Sequence, residues 1–180
     1  MCNRSILSSA WCVLAAANTI FVAAPSAGAE SQSWPLSARS GRAMESSRTG
    51  AVRRLRVPEC QKLLTDFTDA HGRSLLEKLE ARGLSAADYL QTVTFVDGSS
   101  TRSCRLGRWV LLVARPGSGS VHVCPMDGDP FGSRLADVQL RNPALAESIV
   151  IHEMLHTLGL GEDPPTSEAI TRQVQLRCGS

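Results

Sequence analysis

Two histidines and a glutamate between positions 152 and 156 carry the clearest chemistry in the sequence. His152 and His156 are four residues apart, which on a helix places their Cβ atoms about 5 to 6 Å from each other. Both imidazoles can then bind one cation at Zn–N distances of about 2.0 to 2.1 Å. Glu153 would stand beside the open coordination position, where it can take a proton from bound water and pass it to a leaving amine. The pattern predicts a zinc site with Glu153 as general base.

A helix from Pro143 to Leu158 is predicted to position these residues. Asn142 suits the N-cap, Pro143 suits the first helical position, and Gly159 suits the left-handed residue that ends a helix. Apolar residues cover nearly every face, so we expect the helix to be buried. Its histidines must therefore face a cleft or find polar partners inside the core.

The run His152-Glu-x-x-His156-x-x-Gly159-x-x-Glu162 resembles the motif on the active-site helix of the zincin metallopeptidases. Its extended form is similar to that of metzincin-type and snapalysin-like peptidases, in which a His or Asp three residues after the glycine is the third zinc ligand. Glu162 occupies that place here, and no methionine follows Met154, so the Met-turn of metzincins is absent. The resemblance implies a zinc-dependent metallopeptidase, a hydrolase of peptide bonds, with zinc held by His152, His156 and Glu162.

Two other carboxylates remain open as the third ligand. Asp163 is adjacent to Glu162 and shorter, and Glu168 lies near the start of a helix predicted from Ser167 to Arg177. A catalytic site needs three protein ligands plus water, so one of the three carboxylates is required. The family also binds substrate along an edge strand before the active-site helix, a role that Val121 to Cys124, with His122, would fill by strand addition. The alternative for His122 is a half-exposed strand residue without a function.

The remaining periodicity predicts a small α+β domain, zincin-like by the resemblance above. Helical spacing of leucines predicts helices over 58–70 and 75–83, and Ser85 suits the cap of a third. Short β-branched and apolar runs separated by turn residues predict three antiparallel strands at 93–96, 109–114 and 121–124.

The amino-terminal part divides into two segments. Residues 1–29 combine Arg4, an apolar stretch and Ala27-Gly28-Ala29, which predicts a signal peptide cleaved after Ala29; an uncleaved membrane anchor is the alternative. Residues 30–57 contain six arginines and two acidic residues without clear periodicity, which predicts a disordered linker or pro-segment. The peptidase domain is then expected over 58–180.

Four cysteines remain after removal of the predicted signal: Cys60, Cys104, Cys124 and Cys178. Four cysteines allow three pairings, and the sequence alone does not choose among them. Cys104 and Cys124 flank a candidate hairpin, and Cys60 and Cys178 lie at the two ends of the expected domain, which favours these two pairs. Structural disulfides in an exported protein are therefore expected.

Charge excludes some partners. The chain has 19 basic and 17 acidic residues, a net charge of +2, which is too small to indicate nucleic acid as a partner. We expect a secreted or periplasmic monomer that acts on a peptide or protein and is not inserted stably in a membrane after signal cleavage. The competing hypothesis is an exported, disulfide-stabilised binding or structural protein with a non-catalytic metal site.

Overall fold

The computed structural model describes residues 35–179, with only the backbone described for Pro130 and Phe131. The predicted signal peptide lies outside these residues. Nine helices and five strands occur in the described part: α1 Ala38–Leu55, α2 Pro58–Gln61, α3 Leu63–Asp66, α4 Leu75–Glu80, α5 Ala86–Thr92, β1 Thr94–Asp97, α6 Arg102–Leu106, β2 Leu112–Ala114, β3 Ser120–Val123, β4 Pro125–Met126, β5 Asp129–Ser133, α7 Arg134–Arg141, α8 Pro143–Thr157 and α9 Ser167–Cys178. This arrangement confirms the predicted small α+β domain.

Helix α8 forms the centre of the core. Its amino terminus is capped by Asn142, whose side chain accepts a hydrogen bond from the amide of Leu145. Side chains of α8 are buried on nearly every face because α1, α7, α9, β2 and β3 all pack against it. The apolar character seen in the sequence therefore reflects contacts on all sides rather than one amphipathic face.

Over residues 35–57, the described part of the segment 30–57, helix α1 corrects the prediction of a disordered linker. Its buried positions follow a helical stripe, but several are small or polar, including Ser40, Ser47 and Gly50. The pattern of hydrophobic residues therefore does not reveal the buried face of this helix, although Met44 and Leu55 are part of the core around α8. Small residues suit this face because Gly50 lies against the side chain of Glu147, where a Cβ would be 2.0 Å from Oε1. The folded domain thus begins upstream of residue 58.

The three-stranded sheet has the order β1-β3-β2. β2 pairs with β3 in antiparallel orientation, whereas β1 pairs with β3 in parallel, so the expectation of three antiparallel strands is wrong for β1. The chain between β1 and β3 contains α6 and β2, which gives the long connection that a parallel pair needs. β3 is the central strand, so Val121 to Cys124 is not a free edge; β2 is the edge strand next to α8.

A second hairpin and two helices, α6 and α7, were not anticipated from the sequence. β4 and β5 form a separate two-stranded sheet, and α7 follows directly, with Ser133 as its N-cap. Pro130 and Gly132 within β5 are residues that usually argue against a strand.

Both disulfides favoured by cysteine position are present. Cys60 bonds to Cys178, and Cys104 bonds to Cys124. On the loop-entropy model, closing loops of these lengths stabilises the fold by roughly 3 to 5 kcal/mol each. Disulfides are typical of proteins in oxidising compartments. Among residues 35–179, no helix combines the length and the apolar character needed to cross a membrane.

Candidate active site

His152 and His156 bring two ring nitrogens to one point. Their Nε2 atoms are 2.9 Å apart, and both side chains are buried. The other nitrogen of each ring has its own partner: Nδ1 of His152 lies 2.9 Å from Thr171 Oγ1, and Nδ1 of His156 donates to the carbonyl of Leu160 at 2.8 Å. The bond to Leu160 fixes the Nδ1–H tautomer of His156 and leaves a lone pair on its Nε2, the arrangement a metal ligand requires.

The loop after α8 carries Glu162 back to this point. Glu162 Oε1 lies 3.3 Å from His156 Nε2 and 3.8 Å from His152 Nε2. The sharp reversal depends on Gly159, which has a φ of 110°. The amides of Gly159 and Leu160 donate to the carbonyls of His156 and Leu155, the paired hydrogen bonds that end a helix at a left-handed residue.

The other two candidate ligands lie elsewhere. Asp163 lines a separate cleft together with Asp69 and Pro164. Glu168 is on the exposed surface of α9 and forms an ion pair of 3.2 Å with Arg172. Within residues 35–179, His152, His156 and Glu162 form the group whose ligand atoms could hold one metal ion, all within 4.8 Å of one another. Their role as ligands stays a prediction.

The donor set fits zinc. A tetrahedral zinc ion at about 2.0 to 2.1 Å from its ligands separates two ligand atoms by roughly 3.3 to 3.4 Å. The separations between the donor atoms of His152, His156 and Glu162, 2.9, 3.3 and 3.8 Å, bracket that value. Two imidazoles and one carboxylate are a known ligand set for catalytic zinc.

Glu153 is buried on the same helix but outside the ligand group. Its Oε2 accepts a hydrogen bond of 2.7 Å from the amide of Ala114 in β2. Burial raises the pKa of Glu153 to about 7, with a smaller contribution from the charge of Glu162, while the Ala114 hydrogen bond acts in the opposite direction. A carboxyl with a pKa near neutrality can both accept and return a proton.

Burial lowers the pKa of His152, whereas it raises that of Glu153. The pKa of His152 is lowered to about 4, first by burial and then by His156, against the opposing influence of Glu162. His152 is therefore neutral at pH 7, as a metal ligand must be.

A cleft of about 390 Å³ opens on this group. Glu153, His156 and Glu162 line it together with residues of the β2 region, including Val110, Leu112 and Ala114. Glu162 is the accessible member, with 55% of its side chain exposed, whereas His156 and Glu153 are buried. A ligand in the cleft would therefore lie between these residues and β2.

Three supporting features were missed by sequence reasoning. Thr171 lies on the predicted last helix, but nothing in its type distinguishes it from an exposed helical threonine. Ala114 contacts Glu153 through its backbone amide, so the type of its side chain gives no signal in the sequence. Lys78 and Asp69, 3.0 Å apart, pack against Gly159 from a distant part of the chain.

His122 does not join the group. It lies in the central strand β3, half-buried, and its Nδ1 is buried without a hydrogen-bond partner. The proposed contact of its strand with substrate is excluded, because both edges of β3 are paired.

Comparison of the chain with protein-family models, with curated proteins and with solved structures finds no match.

Proposed function

We propose that the protein is an exported zinc-dependent peptidase, with His152, His156 and Glu162 as zinc ligands and Glu153 as general base. The observation that carries the proposal is the position of Glu153. It is adjacent in sequence to a candidate ligand and faces the same cleft, yet it is held by the Ala114 amide rather than by the ligand group. This is the separation of roles that metal-assisted hydrolysis requires.

Zinc at this position would polarise a peptide carbonyl and lower the pKa of a water molecule toward 7. Glu153 would accept a proton from a water molecule as the oxygen of that water attacks the carbonyl carbon. The carbon–nitrogen bond then breaks, and Glu153 gives the proton to the leaving amine. The Ala114 amide keeps the carboxyl of Glu153 oriented while its protonation state changes.

The free edge of β2 gives the cleft a means of holding an extended peptide. The amide of Ala114 points toward Glu153 and away from β3. Because backbone N–H and C=O groups of successive residues alternate between the two edges of a strand, the N–H and C=O of Leu112 point toward the same outer edge as those of Ala114. A peptide strand added there would place its backbone beside Glu153. A peptide or an extended protein segment is thus the substrate class that fits the cleft.

The ligand count favours catalysis over a purely structural or binding site. Structural zinc sites are closed by four protein ligands, whereas catalytic sites keep one position for water or substrate. The group in the described residues has three members and opens on the cleft through Glu162. Export is supported by the two disulfides.

Zinc content and hydrolysis, measured on the same preparations, test the proposal. The unmodified protein should bind one zinc per chain and cleave a quenched-fluorescence peptide library. Glu153→Gln keeps the shape of the side chain but removes its basicity, so it should keep zinc and lose roughly 100- to 10,000-fold in kcat/KM. Hydrolysis that persists in this variant would contradict the mechanism, and a folded protein without zinc would contradict the site.

A further inference from the structure

The segment 102–110, which consists of the short helix α6 and the four residues after it and is here called the basic loop, exposes an unusual set of side chains. Trp109 is 92% exposed and Leu106 is 71% exposed. Arg102, Arg105 and Arg108 are also exposed, and no carboxylate in the part of the chain that the structure describes forms an ion pair with them. Large apolar side chains beside unpaired cations commonly mark a contact surface.

This exposure is not the result of a loose loop. Arg134 is buried and donates to the carbonyls of Cys104, Gly107 and Val110, with the Val110 bond at 3.0 Å, while its other nitrogen pairs with Asp127 at 2.9 Å. The disulfide from Cys104 to Cys124 joins the loop to the residue that follows β3. Because the backbone is held before any partner arrives, binding here would cost little ordering entropy.

The basic loop forms part of the cleft that contains Glu153. Ser103 and Val110 line that cleft, and β2 begins two residues after Val110. Glu162 and Ser167, which come from the chain after α8, line the same cleft. Only one exposed arginine, Arg115, follows β2 at its far end, so positive charge is concentrated where the chain enters β2.

We infer that the cleft selects peptide segments that carry acidic side chains on the carboxyl-terminal side of the cleaved bond. This inference rests on the proposed peptidase function. Antiparallel pairing with β2 is the more stable mode of strand addition, and it runs the peptide toward the basic loop after it has passed Glu153. Carboxylates of the substrate then meet Arg105 and Arg108, and apolar portions of it pack on Trp109.

Binding and cleavage of three labelled ten-residue peptides test the inference. One has two glutamates in its carboxyl-terminal half, one has them in its amino-terminal half, and one has glutamine at all four positions. Fluorescence anisotropy with the zinc-loaded full chain carrying Glu153→Gln measures binding of the intact peptides, and the unmodified chain is used for hydrolysis. The first peptide should bind roughly two- to tenfold more tightly than the glutamine peptide, and added salt should reduce that ratio.

Matched variants separate the basic loop from general charge. In Arg105→Gln/Arg108→Gln the binding ratio should fall to about one. The same charge change at Arg42→Gln/Arg56→Gln, two exposed arginines of the α1 region outside the basic loop, should leave the ratio unchanged. Equal binding of the peptides, preference for the amino-terminal glutamates, or a preference that survives in the basic-loop variant would overturn the inference.

The two proposals fail in different ways. Selective binding of the first peptide without hydrolysis would contradict the peptidase and support recognition of acidic side chains by the basic loop. Hydrolysis of all three peptides without selective binding would support the peptidase and contradict that recognition. Sedimentation with phosphatidylglycerol vesicles that is lost in the basic-loop variant, together with equal peptide binding, would assign the loop to an anionic membrane and overturn the inference.

Discussion

The amide of Ala114 donates a hydrogen bond of 2.7 Å to Oε2 of Glu153, which joins the edge strand β2 to the central helix α8. The carbonyl of His156 strengthens the same junction by accepting a hydrogen bond of 2.9 Å from the amide of Gly117 in the turn after β2. These two hydrogen bonds therefore fix β2 and the turn after it against α8, beside the proposed general base.

Removal of Glu162 should weaken zinc binding strongly. Loss of a hydrogen-bond partner to a ligand typically costs about 10- to 100-fold in metal affinity, and loss of a ligand itself should exceed that range. Competition with a chromophoric chelator measures the affinity of Glu162→Ala. Asp163→Ala is the matched control, since Asp163 lines another cleft. Equal affinity of Glu162→Ala and the unmodified protein would show that the third ligand is not Glu162.

Thr171 is predicted to orient His152. Its hydroxyl lies 2.9 Å from Nδ1 of His152. Thr171→Val keeps the shape of the side chain but removes the hydroxyl, so zinc affinity should fall about 10- to 100-fold, whereas Thr171→Ser should keep most of it. The same chelator competition provides the measurement. If valine and serine have the same effect, the hydroxyl has no role in positioning the ring.

Gly159→Ala should destabilise the fold. A φ of 110° is unfavourable for a residue with a Cβ, and that Cβ would lie 2.6 Å from Nζ of Lys78. We expect a loss of about 1 to 3 kcal/mol in the free energy of unfolding, measured by urea denaturation. Gly161→Ala is the control: a Cβ there meets nothing within 4 Å, so its change should stay within about 0.5 kcal/mol. Similar losses in both variants would argue against the strain at Gly159.

The buried carboxylate of Asp69 should make stability depend on acidity. The hydrogen bond from Lys78 holds the pKa of Asp69 well below its usual range, supported by the amides of Arg73 and His71 and opposed by burial. Because the folded-state pKa lies below the unfolded value of about 3.9, the carboxylate stabilises the fold above pH 4, and this stabilisation is lost as the pH falls below that value.

Urea denaturation between pH 2 and pH 7 tests this expectation. Asp69→Asn should be less stable at pH 7, and its free energy of unfolding should change less with pH between 2 and 5 than that of the unmodified protein. Identical pH profiles for the two proteins would mean that Asp69 is not the group responsible.

Local signals were sufficient to predict the central helix and the proximity of its two histidines. Asn142, Pro143 and Gly159 mark the ends of α8, and the four-residue spacing of the histidines places them on one face. The disulfides were also favoured correctly from cysteine position. These features depend on neighbouring residues or on simple chain topology.

Other features depend on partners far along the chain, which the sequence pattern does not reveal. Helix α1 is stabilised in part by the ion pair between Arg54 and Glu147, a contact across 93 positions, and its buried face contains serines and a glycine. The parallel pairing of β1 with β3 requires β2 to be placed at the sheet edge. Thr171 and the Ala114 amide contact His152 and Glu153 only because α9 and β2 pack beside α8.

The cross-link between Cys60 and Cys178 joins α2 to the end of α9, the helix that carries Thr171. Synthesis runs from the amino terminus, so a nascent chain contains His152, His156 and Glu162 before it contains Thr171 and the remainder of α9. Arg54 donates to the carbonyl of Cys178, so α1 too gains one of its contacts only when that residue is in place. The contact between Thr171 and His152 can therefore form only after most of the chain has been synthesised. Because the disulfide ties the end of α9 to α2, its reduction should loosen the helix that carries Thr171.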